Sequence, residues 1–173
     1  MNIKEKIRTI ADFPKKGIMF RDVTTLLKDP EGFNHVINLF VERYKDKDID
    51  YIIGIESRGF ILGGAIAHQL KKGFIPIRKP GKLPHNVDSI EYELEYGIDK
   101  LEIHLDALKE DDKVILIDDL IATAGTAKAA IELIEKRKAK IEECGFVMEL
   151  PDLKGREKLN GYPIYSIVKF EGH

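Results

Sequence analysis

Short apolar runs alternate with helical stripes along this chain. Segments 51–55, 74–77, 114–117, 145–150 and 163–170 are runs of a few residues, mostly apolar, the pattern of strands buried on both faces. Between the runs, Phe33, Val36, Ile37, Phe40, Val41 and Tyr44 fall on one face of a helix. Asp29-Pro30 ahead of them reads as an N-cap followed by a proline in the first turn. Segments 60–70 and 125–138 read as two further helices. Ile3, Ile7 and Ile10 share a helical face, which predicts a short amphipathic helix ended by Pro14-Lys15-Lys16-Gly17. Strands that alternate with helices predict an α/β protein: a doubly wound, mostly parallel central sheet with flanking helices.

Segment 79–105 breaks the alternation. Lys79-Pro80-Gly81-Lys82-Leu83-Pro84 reads as a loop. Beyond it, Ile90, Tyr92, Leu94 and Tyr96 alternate with Glu91, Glu93 and Glu95, a half-exposed strand that pairs with an arm carrying Leu101 and Ile103. A long insertion after a core strand predicts a flexible lid hairpin over an active site. No repeat, linker or low-complexity segment appears, and 173 residues suit one domain over 1–173.

Composition narrows the classes of function. Lys plus Arg number 28 and Asp plus Glu 30, so the net charge of -2 gives no support for nucleic-acid binding. No apolar run approaches membrane length. Residues 2–6 carry charges where a signal peptide needs an apolar stretch, so a cytoplasmic protein is expected. Cys144 is the only cysteine, which excludes an internal disulfide; it is expected to be buried and inert. His35, His68, His85, His104 and His173 show no metal-ligand spacing, and His68 reads as a packing residue.

The chemistry concentrates after the third apolar run. There Asp118 and Asp119 follow Val114-Ile115-Leu116-Ile117, and Leu120-Ile121 lead into Ala122-Thr123-Ala124-Gly125-Thr126 at a helix start. Open α/β sheets place ligands at the carboxyl ends of their strands. Small residues let backbone N–H groups approach an anion, the helix start adds partial positive charge, and two threonines add hydroxyl donors. The carboxylates stand one step away, where sugar hydroxyls can donate to them. A helix cap with a tight turn is the plainer alternative. Paired acids, two threonines and a glycine within nine residues favour a grip on a phosphorylated ribose. No G-x-x-x-x-G-K-[ST] and no G-x-G-x-x-G occurs, which excludes the P-loop and the usual dinucleotide fingerprint.

Segment 118–126 resembles the phosphoribosyl-pyrophosphate signature of the type I phosphoribosyltransferases. Five more blocks resemble the adenine-using branch of that family, in order: Phe13-Pro14-Lys15-Lys16-Gly17-Ile18-Met19-Phe20-Arg21-Asp22, Glu56-Ser57-Arg58-Gly59-Phe60, Arg78-Lys79-Pro80-Gly81-Lys82-Leu83-Pro84, Tyr92-Glu93-Leu94-Glu95-Tyr96-Gly97 and Leu153-Lys154-Gly155-Arg156-Glu157-Lys158-Leu159. The resemblance implies residues 1–25 as a small hood that binds the base, and a reaction of purine salvage. In it, phosphoribosyl pyrophosphate and adenine give AMP and pyrophosphate. It implies Mg2+ held mainly through substrate oxygens, with few direct protein ligands, and a homodimer in which Arg78 reaches the neighbouring site.

The resemblance also distributes roles. Ala122, Thr123, Ala124, Gly125 and Thr126 would hold the 5′-phosphate, and Asp118 and Asp119 would face the ribose and its cationic transition state. Glu56, Ser57 and Arg58 would form the pyrophosphate loop, with a cis Glu56–Ser57 bond, joined by Arg78, Lys79 and Lys82. Glu95, beside Tyr96, would do acid–base work on adenine from the lid. Met19, Phe20 and Arg21 on one side, with Glu149 and Leu150 on the other, would line the base. Ala124 stands where the family usually has Gly, so a backbone needing positive φ there would be strained. The alternatives are a related enzyme for hypoxanthine, guanine or xanthine, and a non-catalytic phosphoribosyl-pyrophosphate sensor. A basic recognition helix, usual in such a sensor, is missing from the segment before residue 51.

Overall fold

The computed structural model describes residues 1–94 and 97–172. The chain opens with a single 3-10 turn, Ile3–Lys6, and a two-stranded hairpin of β1 (Arg8–Ala11) and β2 (Met19–Asp22). Helices α1 (Thr24–Lys28) and α2 (Pro30–Tyr44) follow. Then come β3 (Tyr51–Ile55), α3 (Arg58–Leu70) and β4 (Gly73–Ile77). The insertion forms the antiparallel pair β5 (Val87–Glu93) and β6 (Ile98–His104). The chain returns through β7 (Lys113–Ile121), α4 (Gly125–Lys136), β8 (Lys140–Glu149), α5 (Gly155–Lys158) and β9 (Ile164–Lys169).

Five strands make one parallel sheet in the order β4-β3-β7-β8-β9. Side chains alternate across it, as the pleat requires. Ile52, Ile115 and Ile117 face one layer with Phe40, Leu62 and Ile66 of α2 and α3. Ile53, Ile55, Val114 and Leu116 face the other, with Ile131 and Ile134 of α4 and Leu101 and Ile103 of the hairpin. Apolar residues on both faces are why these strands read as continuous apolar runs. Chain order reverses between β3 and β7: from β3 the chain steps outward to β4, then returns to the far side as β7. Loops leaving these two strands therefore diverge and leave a crevice between them, where ligands of open α/β sheets bind.

Asp29 caps α2 as expected, its carboxylate accepting from the Gly32 N–H at 3.2 Å. The expected N-terminal helix does not form. Ile3 and Ile7 are both buried, but one 3-10 turn suffices to bring them inside. Ile10 lies in β1, opposite Phe20. A helix this short is marginal by itself, and a strand partner supplies the same backbone groups with hydrogen bonds. Three other boundaries move. β7 runs through both carboxylates to Ile121, because Leu120 and Ile121 keep pairing with Met148 and Glu149. β8 starts at Lys140, before the apolar run, and buries Glu143 by a forked ion pair with Arg43 at 2.6 and 2.7 Å. α4 ends at Lys136, ahead of Lys138, which has φ of +60°. His68 is exposed, contrary to its reading as a packing residue.

Candidate active site

A cavity of about 490 Å³ opens at the β3–β7 reversal. Three pieces of chain line it: Glu56, Ser57 and Arg58 after β3, Lys79 after β4, and the stretch from Asp118 to Ala127. Glycines bring the first piece in. A Cβ on Gly54 would lie 2.5 Å from the Gly59 carbonyl oxygen, and one on Gly59 would lie 2.9 Å from that of Ile117. The loop therefore turns straight off β3 and rests on β7. The Glu56–Ser57 peptide bond is cis.

Asp119 is buried, and Arg58 Nε donates to its carboxylate at 2.7 Å. That carboxylate holds the Arg58 guanidinium more firmly protonated than usual. Burial pushes the Asp118 carboxyl well above the ordinary carboxylate range, and the charge on Asp119 pushes it further. The Asp119 N–H, donating to Asp118 at 2.9 Å, opposes this. The pair thus offers one carboxylate braced by arginine and one carboxyl that burial holds back from ionising, both beside the loop 122–126.

That loop enters α4 through Ala124 at φ +71° and ψ +13°, the left-handed region in which a Cβ is strained. Ala124 is buried, and Gly155 at the start of α5 packs against it; a Cβ on Gly155 would meet the Ala122 carbonyl oxygen at 2.5 Å and the Ala124 Cβ at 3.2 Å. Thr123 is exposed, and Thr126 Oγ1 donates to the Tyr92 hydroxyl at 3.4 Å.

Cations around the cavity hold internal partners. Glu56 accepts from Arg78 Nε and from the Lys79 N–H, each at 2.9 Å. The Lys79 ammonium pairs with Asp99 and lies 3.4 Å from the Tyr92 hydroxyl. Burial lowers the pKa of Lys79, but its hydrogen bonds and charge contacts with Asp99 and Tyr92 outweigh that and leave it raised. Arg78 does not line the cavity; it reaches it through Glu56 and lies 5.4 Å over the Phe60 ring. Lys82 is exposed and outside the cavity wall.

The expected base-binding residues do not line this cavity either. Met19 is exposed on β2, and Phe20 packs edge-on against Phe13 with ring centres 5.2 Å apart. Arg21 turns away to Thr9 at 2.7 Å, the Gly172 carbonyl at 3.1 Å and the Phe170 ring at 4.6 Å. Leu150 is buried and donates its N–H to the Ile121 carbonyl at 2.9 Å. Glu149 is buried beneath, forked by Arg156 at 2.8 and 3.0 Å and bonded by Ser166 at 2.6 Å. Glu95 and Tyr96 lie outside the described residues.

Asp99 escaped the sequence reading, although a signal existed. Placing Leu101 opposite Ile90 sets the hairpin register, and that register puts Asp99 opposite Tyr92.

Residues 22–169 match the model of the phosphoribosyl transferase domain. The chain belongs to the phosphoribosyl transferase family. A relative in Halothermothrix orenii, an adenine phosphoribosyltransferase, is 59% identical over 98% of this chain and 99% of its own. The structure of adenine phosphoribosyltransferase from Thermoanaerobacter pseudethanolicus shares the fold with a TM-score of 0.94. It is 48% identical and covers 97% of this chain and 98% of its own. The Saccharomyces cerevisiae enzyme, in a complex with an imino-altritol bisphosphate and adenine, gives a TM-score of 0.90. It is 43% identical over 95% of this chain and 96% of its own.

Proposed function

We propose that this phosphoribosyltransferase moves the 5-phosphoribosyl group from phosphoribosyl pyrophosphate to adenine, giving AMP and pyrophosphate. One observation carries the reading. A single cavity joins a small-residue loop at a helix start, a carboxylate pair and a second loop with Arg58 and Lys79. These are the groups a doubly phosphorylated ribose calls for, in the order of its parts. Loop 122–126 suits the 5′-phosphate. Asp118 and Asp119 face the ribose, where positive charge grows as the C1–O bond breaks; Asp119, oriented by Arg58, lies where it can meet that charge. Arg58 and Lys79 suit the leaving pyrophosphate. Adenine as acceptor rests on the relatives, which are named for it at more than half identity over nearly the whole chain.

Mg2+ fits this arrangement through substrate oxygens. Among the described residues no three or more His, Cys, Asp or Glu group as metal ligands. The Asp118–Asp119 pair supplies hard oxygens beside the ribose, and the ion, when bound, neutralises the pyrophosphate. A second copy is the proposed partner. Ile61 on α3 is 47% exposed beside Phe60, next to the Arg78 that would cross to the other site. Among the described residues no helix is long and apolar enough to cross a membrane.

The test is AMP formation from adenine, phosphoribosyl pyrophosphate and Mg2+, beside hypoxanthine, guanine and xanthine. Product from adenine alone, abolished in Asp119→Asn, supports the reading. Product from another base instead, or none from any base, overturns it. Light scattering checks the dimer.

A further inference from the structure

The two ends of the cavity are tied to one rung of the hairpin. Tyr92 on β5 and Asp99 on β6 are direct cross-strand partners. Asp99 holds the Lys79 ammonium, and the Tyr92 hydroxyl accepts from Thr126 Oγ1 at 3.4 Å. The same hydroxyl lies 3.3 Å from the Asp99 carboxylate and 3.4 Å from Lys79 Nζ. Below this rung the hairpin is anchored: Leu101 and Ile103 are fully buried against α4, and Glu102 is pinned by Ser89 at 2.5 Å and by the Gly81 N–H at 2.9 Å. Above it Leu94 is 46% and Ile98 68% exposed. The rung therefore sits where the packed part of the hairpin ends.

Resting on the function proposed above, we propose that Asp99 and Tyr92 are internal occupants of the two anion sites. Asp99 takes the cation that pyrophosphate needs, and Tyr92 takes the hydroxyl that the 5′-phosphate needs. An ammonium has three N–H donors, and Asp99 with Tyr92 engages two of them. A carboxylate opposite Lys79 competes charge for charge with a phosphate oxygen. A phenol at Thr126 competes only as a neutral hydrogen bond, so its hold is weaker. A ligand carrying one phosphate displaces one occupant. Phosphoribosyl pyrophosphate, carrying both, empties the rung. The rung is thus a specificity device for a doubly phosphorylated ribose, acting through Lys79 and Thr126 without touching the reacting atoms.

The test is crossed and needs no turnover. Calorimetry measures binding of inorganic pyrophosphate and of ribose 5-phosphate, both with Mg2+, to the wild type, Asp99→Asn, Asp99→Glu and Tyr92→Phe. Asp99→Asn is expected to bind pyrophosphate about threefold to tenfold more tightly and ribose 5-phosphate unchanged. Tyr92→Phe is expected to bind ribose 5-phosphate about twofold to fivefold more tightly and pyrophosphate by a smaller factor, since Asp99 still holds Lys79. Asp99→Glu restores the wild-type pyrophosphate affinity. Weaker or unchanged pyrophosphate binding in Asp99→Asn would mean that Asp99 merely orients Lys79, and overturns the proposal. So does an equal change for both ligands in either variant. A wild type that binds neither anion overturns the proposed function as well, whereas one that binds both without the crossed pattern overturns only this inference.

Discussion

Gly155→Ala tests whether α5 is the floor of the phosphate loop. An added Cβ would stand 2.5 Å from the Ala122 carbonyl oxygen, 3.0 Å from Ile121 Cγ1 and 3.2 Å from the Ala124 Cβ. Carbon and oxygen need nearly an ångström more, and the blocking atom is backbone. The loop cannot yield cheaply, because Ala124 is already at φ +71° and Arg156, the next residue, is forked to buried Glu149. Overpacking of this kind costs about 1–3 kcal/mol. In a domain of this size each kcal/mol lowers Tm by about 2–4 °C, so a fall of roughly 2–12 °C follows. A loop pushed out of place also weakens its backbone N–H grip on a phosphate. Scanning calorimetry reads the first effect, and titration with ribose 5-phosphate the second. Pyrophosphate, bound at the other loop, is the internal control and keeps its affinity. Gly64→Ala is the external one: a Cβ there meets nothing within 4 Å inside α3, so it stabilises by about 0.5–1 kcal/mol. Unchanged Tm and unchanged ribose 5-phosphate binding in Gly155→Ala would refute the packing argument. Equal loss of both anions would show general damage instead.

Three further outcomes follow. Asp118→Asn removes a carboxyl whose folded pKa is raised by burial and by Asp119, so it raises Tm increasingly as pH climbs above the ordinary carboxylate range; a gap over wild type that is the same at pH 4 and pH 8 counts against this. Asp22 is lowered to about 2 by its bonds from Thr24 and Arg8, so its contribution is full above about pH 4 and fades toward pH 2. With Arg8 57% exposed, Asp22→Asn costs about 1 kcal/mol at pH 7, and urea titration at pH 7 and pH 2 should show the cost only at the former. Burial pushes the Cys144 thiol up to about 12, so mass spectrometry should find no alkylation of the folded protein at pH 8 and full alkylation in denaturant.

The core was legible in the sequence wherever burial is apolar. β3 matches its apolar run residue for residue, and α2 starts at its capping aspartate. Legibility failed where a charged residue is buried by a distant partner. β8 begins five residues before its apolar run because Arg43 covers Glu143 from a position 100 residues earlier. It failed again at Ile10, where the choice between helix and strand depended on a partner strand that a local window does not contain. At the site, the loops were legible because glycine, small residues and paired acids in one stretch have few other uses. Backbone geometry at Ala124 was legible too, as a strain that the φ of +71° bears out. Side-chain direction was not. Nothing in Met19-Phe20-Arg21 indicates that the arginine leaves for Phe170 and the Gly172 carbonyl.

Composition also cannot show how the charges are spent. Arg58, Arg78 and Lys79 suggest an open cationic site, but each is already matched, to Asp119, Glu56 and Asp99. A pre-neutralised site attracts anions weakly at long range and gives up partners one by one at contact. Binding free energy then depends on how many pairs a ligand can replace at once, so a ligand with two well-spaced phosphates gains over two separate anions by more than its charge. Such a site also avoids leaving three half-exposed cations facing one another without partners between turnovers. Asp119 differs from the other two carboxylates. On the proposed function, Glu56 and Asp99 would oppose an anion at the pyrophosphate end, whereas Asp119 would stand at the ribose, where positive charge develops. Displacing Arg58 from Asp119 toward a departing pyrophosphate would leave the carboxylate facing the ribose just as that charge appears. On that reading, one 2.7 Å contact would link capture of the leaving group to stabilisation of the sugar cation.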